Sequence, residues 1–181
     1  MARKAFVALL FSILVWGCAQ PPMRHSREKP GSAPVIAASF ASQVVSPGDL
    51  WKIYLRARDE DGDMRHIAAV LYQAGVGSYT TEIVFLEEAD RAEFEGYLSL
   101  RFPPDPTFFL DRFDMMIVIR DRQDNRSEPV SLPLQVGNWL MEEPPEQWLT
   151  AANKRLGNLR IYLVSSQSYN RGSDGGVHPD H

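Results

Sequence analysis

Between Val35 and Val136 apolar and polar residues alternate in short segments that are broken at glycine, proline and aspartate. This is the pattern of strands joined by turns. Trp51, Ile53, Leu55 and Ala57 alternate with Lys52, Tyr54, Arg56 and Arg58, which predicts a strand with one buried face. Phe94, Gly96, Leu98, Leu100 and Phe102 repeat the pattern, with Glu95, Ser99 and Arg101 on the other face. Ile67, Ala69 and Leu71 predict a third strand. Phe113 to Ile119 is apolar at nearly every position, as expected of a central strand covered on both faces. Val130, Leu132, Leu134 and Val136 alternate with Ser131, Pro133 and Gln135. Pro133 cannot donate a ladder hydrogen bond, so that strand is expected at an edge. Val35 to Phe40 and Tyr79 to Leu86 complete a set of seven. The fold expected is all-β: a seven-stranded antiparallel sandwich of two sheets with Greek-key connections.

The flanks read differently. Arg3 and Lys4 precede an apolar run from Ala5 to Val15, of signal-peptide length and too short to span a bilayer. Cys18 through Pro34 is rich in proline and charge and has no apolar period, which predicts an extended tether. Beyond Gly137, Pro144 and Pro145 can open a helix whose Trp148, Leu149, Ala152 and Leu156 share one face before Gly157 ends it. Leu159, Ile161 and Leu163 then alternate as an extra strand. This extension either packs onto the sandwich or displays a helix to a partner. Ser165 to His181 lacks periodicity and is expected to be disordered. The boundaries expected are therefore 1–17 signal peptide, 18–34 tether, 35–137 sandwich, 138–164 helix and strand extension, and 165–181 tail.

Val15-Trp16-Gly17-Cys18 resembles the lipobox of bacterial lipoproteins, with Val15 and Gly17 at the positions read by the signal peptidase and Cys18 at the position that is lipidated. The resemblance covers Met1 to Cys18. It implies a thioether diacylglycerol and an amide-linked acyl chain on Cys18, enough together for stable anchoring. It also implies the cell envelope as location. Ala19 lacks the Asp that often marks inner-membrane retention in that family, which favours the outer membrane, facing the periplasm. An ordinary secretory signal and an uncleaved N-terminal helix are the alternatives. From Pro34 to Gly137 the chain is similar to bacterial immunoglobulin-like domains of the fibronectin or cadherin-like kind. That similarity rests on Ser46-Pro-Gly-Asp49, Asp59-Glu-Asp-Gly-Asp63, Ile119-Arg-Asp121 and Asp124-Asn125, and it implies fold more than function.

The 181 residues carry 19 Lys and Arg against 23 Asp and Glu, a formal charge of −4. Loss of Arg3 and Lys4 with the signal leaves −6. No basic run marks a nucleic-acid partner. The only cysteine is Cys18, so lipidation there leaves no thiol for a disulfide, a metal or nucleophilic catalysis. Asp59, Asp61 and Asp63 are the leading candidate site, with Asp121 and Asp124 expected at the same end of a sandwich. Two readings stay open, a calcium site and an acidic turn neutralised by neighbouring arginines. An EF-hand loop starting at Asp59 fails, because Met64 stands where glycine is required and Val70 where the bidentate glutamate belongs. His25, His66, His178 and His181 lack zinc spacing, no serine sits in Gly-x-Ser-x-Gly, and no glycine-rich phosphate loop occurs. No cofactor beyond the covalent lipid and a candidate calcium is indicated. The sequence therefore points to a non-enzymatic, membrane-anchored envelope lipoprotein whose sandwich binds an envelope protein. The alternatives are a polysaccharide-binding domain using Tyr54, Tyr72, Tyr79 or Tyr162, and a calcium-dependent adhesion module.

Overall fold

A computed structural model describes residues 31–173. The expected signal peptide, Cys18 and its Val15 and Gly17, most of the tether, and residues 174–181 lie outside the described residues.

Strict alternation of Trp51, Ile53, Leu55 and Ala57 makes β3 (Leu50–Arg58), and that of Phe94, Leu98 and Leu100 makes β7 (Glu93–Arg101). The two pair in antiparallel register, Ile53 opposite Leu98 and Ala57 opposite Phe94, so their apolar residues fall on one face. β1 (Val35–Ala41) adds to β3, and a late strand, β10 (Arg155–Leu159), adds parallel to β7. The facing sheet has β8 (Arg112–Asp121) at its centre, between β4 (Met64–Gln73) and β9 (Val130–Val136). β2 (Val44–Val45) extends it parallel to β9, while β5 (Gly77–Thr80) and β6 (Val84–Phe85) both pair with β4. The inner faces close over one core of Trp51, Ile53, Leu55, Ile67, Leu71, Leu98, Leu100, Phe102, Met115 and Ile117. At about 1.5–3 kcal/mol for each fully buried side chain, this core is the main stabilising term. The Trp51 indole donates to Ser42 O at 2.7 Å and so keeps its polar atom satisfied inside it.

Several expectations are corrected. Ten strands form among the described residues, and two pairings are parallel, so the sandwich is neither seven-stranded nor wholly antiparallel. The segment 79–86 is interrupted. Three residues, Thr81 to Ile83, face the two residues Ala68 and Ala69, and this mismatch splits β5 from β6. β8 is central but covered on one face only, with Met116 exposed and Val118 half-buried. Its apolar outer residues lie beside Ala68 and Val70 of β4. Pro133 lies on β9 beyond the reach of β2, which pairs only at Gln135 and Val136. The edge assignment therefore holds for that stretch of the strand.

The extension is also reorganised. No helix forms over 144–156. Two 3₁₀ turns, Glu146–Trp148 and Ala151–Asn153, form a strap across the outer face of the four-stranded sheet. Trp148 and Ala151, three residues apart, are buried against Tyr54, while Leu149 is exposed. Spacing of three fits a 3₁₀ turn, in which i and i+3 eclipse, as well as it fits an α-helix. Lys154 is extended and pairs with the buried Asp90 carboxylate, and the chain then enters β10 at the edge of β7. Gly96 makes this docking possible: a Cβ there would lie 2.8 Å from both Lys154 O and Leu156 Cγ. The extra strand is thus 155–159, earlier than expected. The expected tail is helical over Ser166–Ser173, α1, held where the Ser166 amide and hydroxyl both donate to Asp111. No helix among the described residues is long and apolar enough to cross a membrane.

Candidate functional site

Strand directions give the sandwich two poles about 30 Å apart, the length of the nine residues of β3. β1 begins opposite Arg58, so the chain enters beside the turns at 59–63 and 121–125. The loops at 46–49, 102–111 and 137–143 lie at the far pole.

At the entry pole the five predicted aspartates share one end of the fold but do different work. Asp121 is buried, and its Oδ1 accepts from Gln123 N at 2.9 Å and Asn125 N at 2.7 Å, with Oδ2 accepting from Asn125 Nδ2 at 2.7 Å. It ties its own turn closed. Asp124, at φ 65°, pairs with Arg120 at 2.5 Å. Asp61 turns to the incoming chain and accepts from Ser32 N at 2.5 Å and Ser32 Oγ at 3.0 Å. The last residues of the expected tether are thus part of the fold. Asp59, 7% exposed, accepts from Asp63 N at 3.0 Å, and Gln123 Nε2 donates to Asp63 Oδ2 at 3.1 Å. One oxygen each of Asp59 and Asp63 is buried without a partner. Burial, with the Asp63 and Asp61 carboxylates beside it, raises the Asp59 carboxyl above its usual range, against the lowering effect of the Asp63 amide. Among the described residues no three acidic, histidine or cysteine side chains are grouped so as to hold a metal ion. Asp61 and Asp124 are committed to Ser32 and Arg120.

The far pole carries what the sequence did not announce. Phe109 and Trp139 stack with ring centroids 6.4 Å apart and planes 23° apart. Trp139 lies so close over Gly137 that a Cβ there would meet its ring at 2.0 Å. Ser46 Oγ donates to Trp139 O at 3.3 Å, and Gly137 N to Val45 O at 2.9 Å, which fixes the loop to the sandwich. Beside the stack stand Leu140, 95% exposed, and Leu110, 60% exposed. Leu110 has φ 71°, a conformation costing about 1–2 kcal/mol for a side chain with a Cβ, and its amide donates to Val136 O at 2.8 Å. Asp49 and Glu143 line the same depression as Trp139, Leu140 and Met141. The far pole thus carries exposed apolar side chains on loops hydrogen-bonded to the sandwich, with Asp49 and Glu143 beside them. Apolar periodicity marks regular elements, and residues spread over 109–110 and 139–141 have no period. The available signal was the dense Trp-Leu-Met run after Gly137.

The aromatic residues expected to serve a saccharide do not form one platform. Tyr54 is 4% exposed beneath Trp148. Tyr72 is exposed on the outer face of β4, whereas Tyr79 lies opposite inward-facing Leu71 and donates its hydroxyl to Gln73 Oε1 at 2.8 Å. Tyr162 stands apart, after β10.

No protein-family model matches the chain, and no curated protein matches it. Among solved structures, it is similar to the PKD domain of a peptidase from a Thermoplasmatales archaeon. The two are 11% identical with a TM-score of 0.40, over 60% of this chain and 99% of that one. It is also similar to a CARDB domain from Pyrococcus furiosus solved in complex with di-metal ions. Here the identity is 12% and the TM-score 0.32, over 57% of this chain and 85% of that one. A third similar structure is a DNA-bound alkylpurine DNA glycosylase from Pseudomonas fluorescens, 9% identical with a TM-score of 0.36. It matches 59% of this chain, which spans 31% of the glycosylase.

Proposed function

We propose that this protein is a lipid-anchored envelope lipoprotein whose immunoglobulin-like sandwich is a non-catalytic docking module for a protein partner. The observation that carries the reading is the polarity of the domain. The chain arrives at one pole, where Ser32 is clasped by Asp61, and the exposed apolar cluster of Phe109, Leu110, Trp139 and Leu140 lies at the other. A module held by lipid on Cys18 presents that cluster away from its anchor. The acidic rim of Asp49 and Glu143 suits a partner with an apolar contact surface flanked by basic residues.

The test is cross-linking of the intact protein in cells, followed by recovery of its partner from envelopes. The parent chain should fractionate with membranes and Cys18→Ala with the soluble fraction. Leu110→Ser with Leu140→Ser should stay in membranes and lose the cross-linked partner. Recovery of the same partner by the double variant would remove the far pole from the reading. Membrane retention of Cys18→Ala would remove the lipid anchor.

A further inference from the structure

The outer face of the four-stranded sheet is divided in two. The strap covers one half with Trp148 and Ala151. The other half, toward the far pole, is a concavity of about 350 Å³ in which cations gather without carboxylates. Register explains why. Arg155 of β10 lies opposite Tyr97 of β7, and Asn158 lies opposite Ser99. Ser99 in turn lies opposite Lys52 of β3. Two residues further along β7 stands Arg101, and Arg160 follows the end of β10 beside it. Three guanidinium side chains, Arg101, Arg155 and Arg160, thus line the concavity from two neighbouring strands, within about 15 Å, while Lys52 lines the adjoining depression with Glu142 and Glu143.

In a chain of net charge −4 this grouping stands out, and among the described residues Arg160 is the one of the three arginines within ion-pair distance of a carboxylate. No Asp or Glu lines the concavity. The nearest carboxylate partner to Arg160 is Glu82 at 4.0 Å, a contact between two exposed side chains that contributes almost nothing. Arg101 donates to Gly48 O at 2.9 Å, which orients its guanidinium without cancelling the charge. Lys52 sits 5.0 Å from the centroid of the Tyr97 ring. That ring is therefore not free to stack on a nucleic-acid base, which removes the usual platform for single-stranded nucleic acid. On the floor Ser99 Oγ donates to Asn158 Oδ1 at 2.6 Å, leaving the Asn158 amide nitrogen to donate to a ligand. Guanidinium and amide groups make a lining rich in donors. Its size is at the lower end of small-molecule sites, which run from about 300 Å³.

We propose that this concavity binds a phosphate-bearing anion. Three guanidinium forks match a multiply charged tetrahedral oxyanion, which accepts from several directions at once, better than a single carboxylate. The phosphate can be free in solution or carried on a lipid headgroup, and the experiment separates the two.

Sodium pyrophosphate is titrated calorimetrically into the full chain in detergent and into two full-chain variants of equal charge change. Arg155→Gln with Arg160→Gln empties the concavity of two cations, and Arg122→Gln with Arg126→Gln removes two exposed arginines at the entry pole. Saturable binding that weakens about tenfold or more in the first variant and stays at parent strength in the second is expected, with melting temperatures unchanged. In a second arm the same chains are sedimented with vesicles of phosphatidylcholine, with and without phosphatidylglycerol. A parent-over-variant excess only on vesicles containing phosphatidylglycerol assigns the phosphate to a headgroup, and pyrophosphate binding without that excess assigns it to a soluble ligand. Equal behaviour of parent and first variant in both arms, or equal loss in both variants, overturns the proposal.

Discussion

At the entry pole Asp59 and Asp121 are buried, and the aspartates give oxygens to backbone amides, Ser32, Gln123, Asn125 and Arg120, so the loops are closed by polar contacts within the domain. At the far pole Phe109, Leu110, Trp139 and Leu140 turn outward, and the hydrogen bonds of Phe109, Leu110 and Trp139 run through their backbones. The same sandwich thus ends in one surface whose carboxylates are mostly hydrogen-bonded within the domain, one oxygen each of Asp59 and Asp63 excepted, and one whose apolar groups stay exposed. The difference teaches that charge density in a sequence does not locate the apolar surface that folding leaves exposed. The acidic pole, the more conspicuous in sequence, uses most of its polar atoms internally, while the quieter pole keeps exposed apolar area that folding has not covered.

The largest effect expected from breaking this contrast is at Asp121. Asp121→Ala leaves the Gln123 and Asn125 amides without their buried acceptor and should destabilise the domain by about 3 kcal/mol. Urea unfolding checks it, and a loss within error of zero would mean the turn is held by something other than its carboxylate. A smaller, pH-dependent effect is expected at Asp59. Its carboxyl is raised by burial, so the stability it contributes is full below the ordinary carboxylate value of about 4 and is lost as pH rises through the raised value. Asp59→Asn removes the charge and keeps an acceptor for Asp63 N. Its melting temperature should exceed the parent's at pH 7, and the gap should narrow toward pH 4. A gap independent of pH would count against a raised Asp59. The smallest effect is at the far pole, where Leu140→Ser should change stability by less than about 0.5 kcal/mol, because the side chain has almost nothing to lose on unfolding. A larger loss in the same urea titration would show that Leu140 packs against the domain, and would weaken its role as a free contact.

β3 and β7 were legible in sequence because a two-residue period with one buried face has no helical counterpart at that length. β8 was placed correctly but not its surroundings. Met116 and Val118 read as buried because periodicity cannot say whether a second layer covers an apolar face. The strap shows the complementary failure, since Trp148 and Ala151 satisfy two helical periods and the choice was made by a tertiary demand, the entry of Lys154 and Leu156 beneath Gly96. At the entry pole the acidic residues were visible, but their uses were not. Asp61 meets Ser32, 29 residues away, and Asp63 meets Gln123, 60 residues away, pairings no local pattern encodes. The basic concavity was hidden for the same reason. Arg155 and Arg160 become neighbours of Arg101 only once β10 docks on β7.

The entry of the chain along β1 has a mechanical consequence. β1 runs from Val35 at the entry pole toward the far pole and is paired with β3 from Val35 to Ala41, with one irregularity between Ile36 and Ala38. Tension between a lipid at one end and a bound partner at the other would draw β1 lengthwise past β3, with the Ser32–Asp61 clasp taking the first load. Ladder hydrogen bonds lie across the strands, so such a pull strains them together in shear instead of opening them one after another. A domain threaded this way resists being unravelled by the tension its own anchoring would impose.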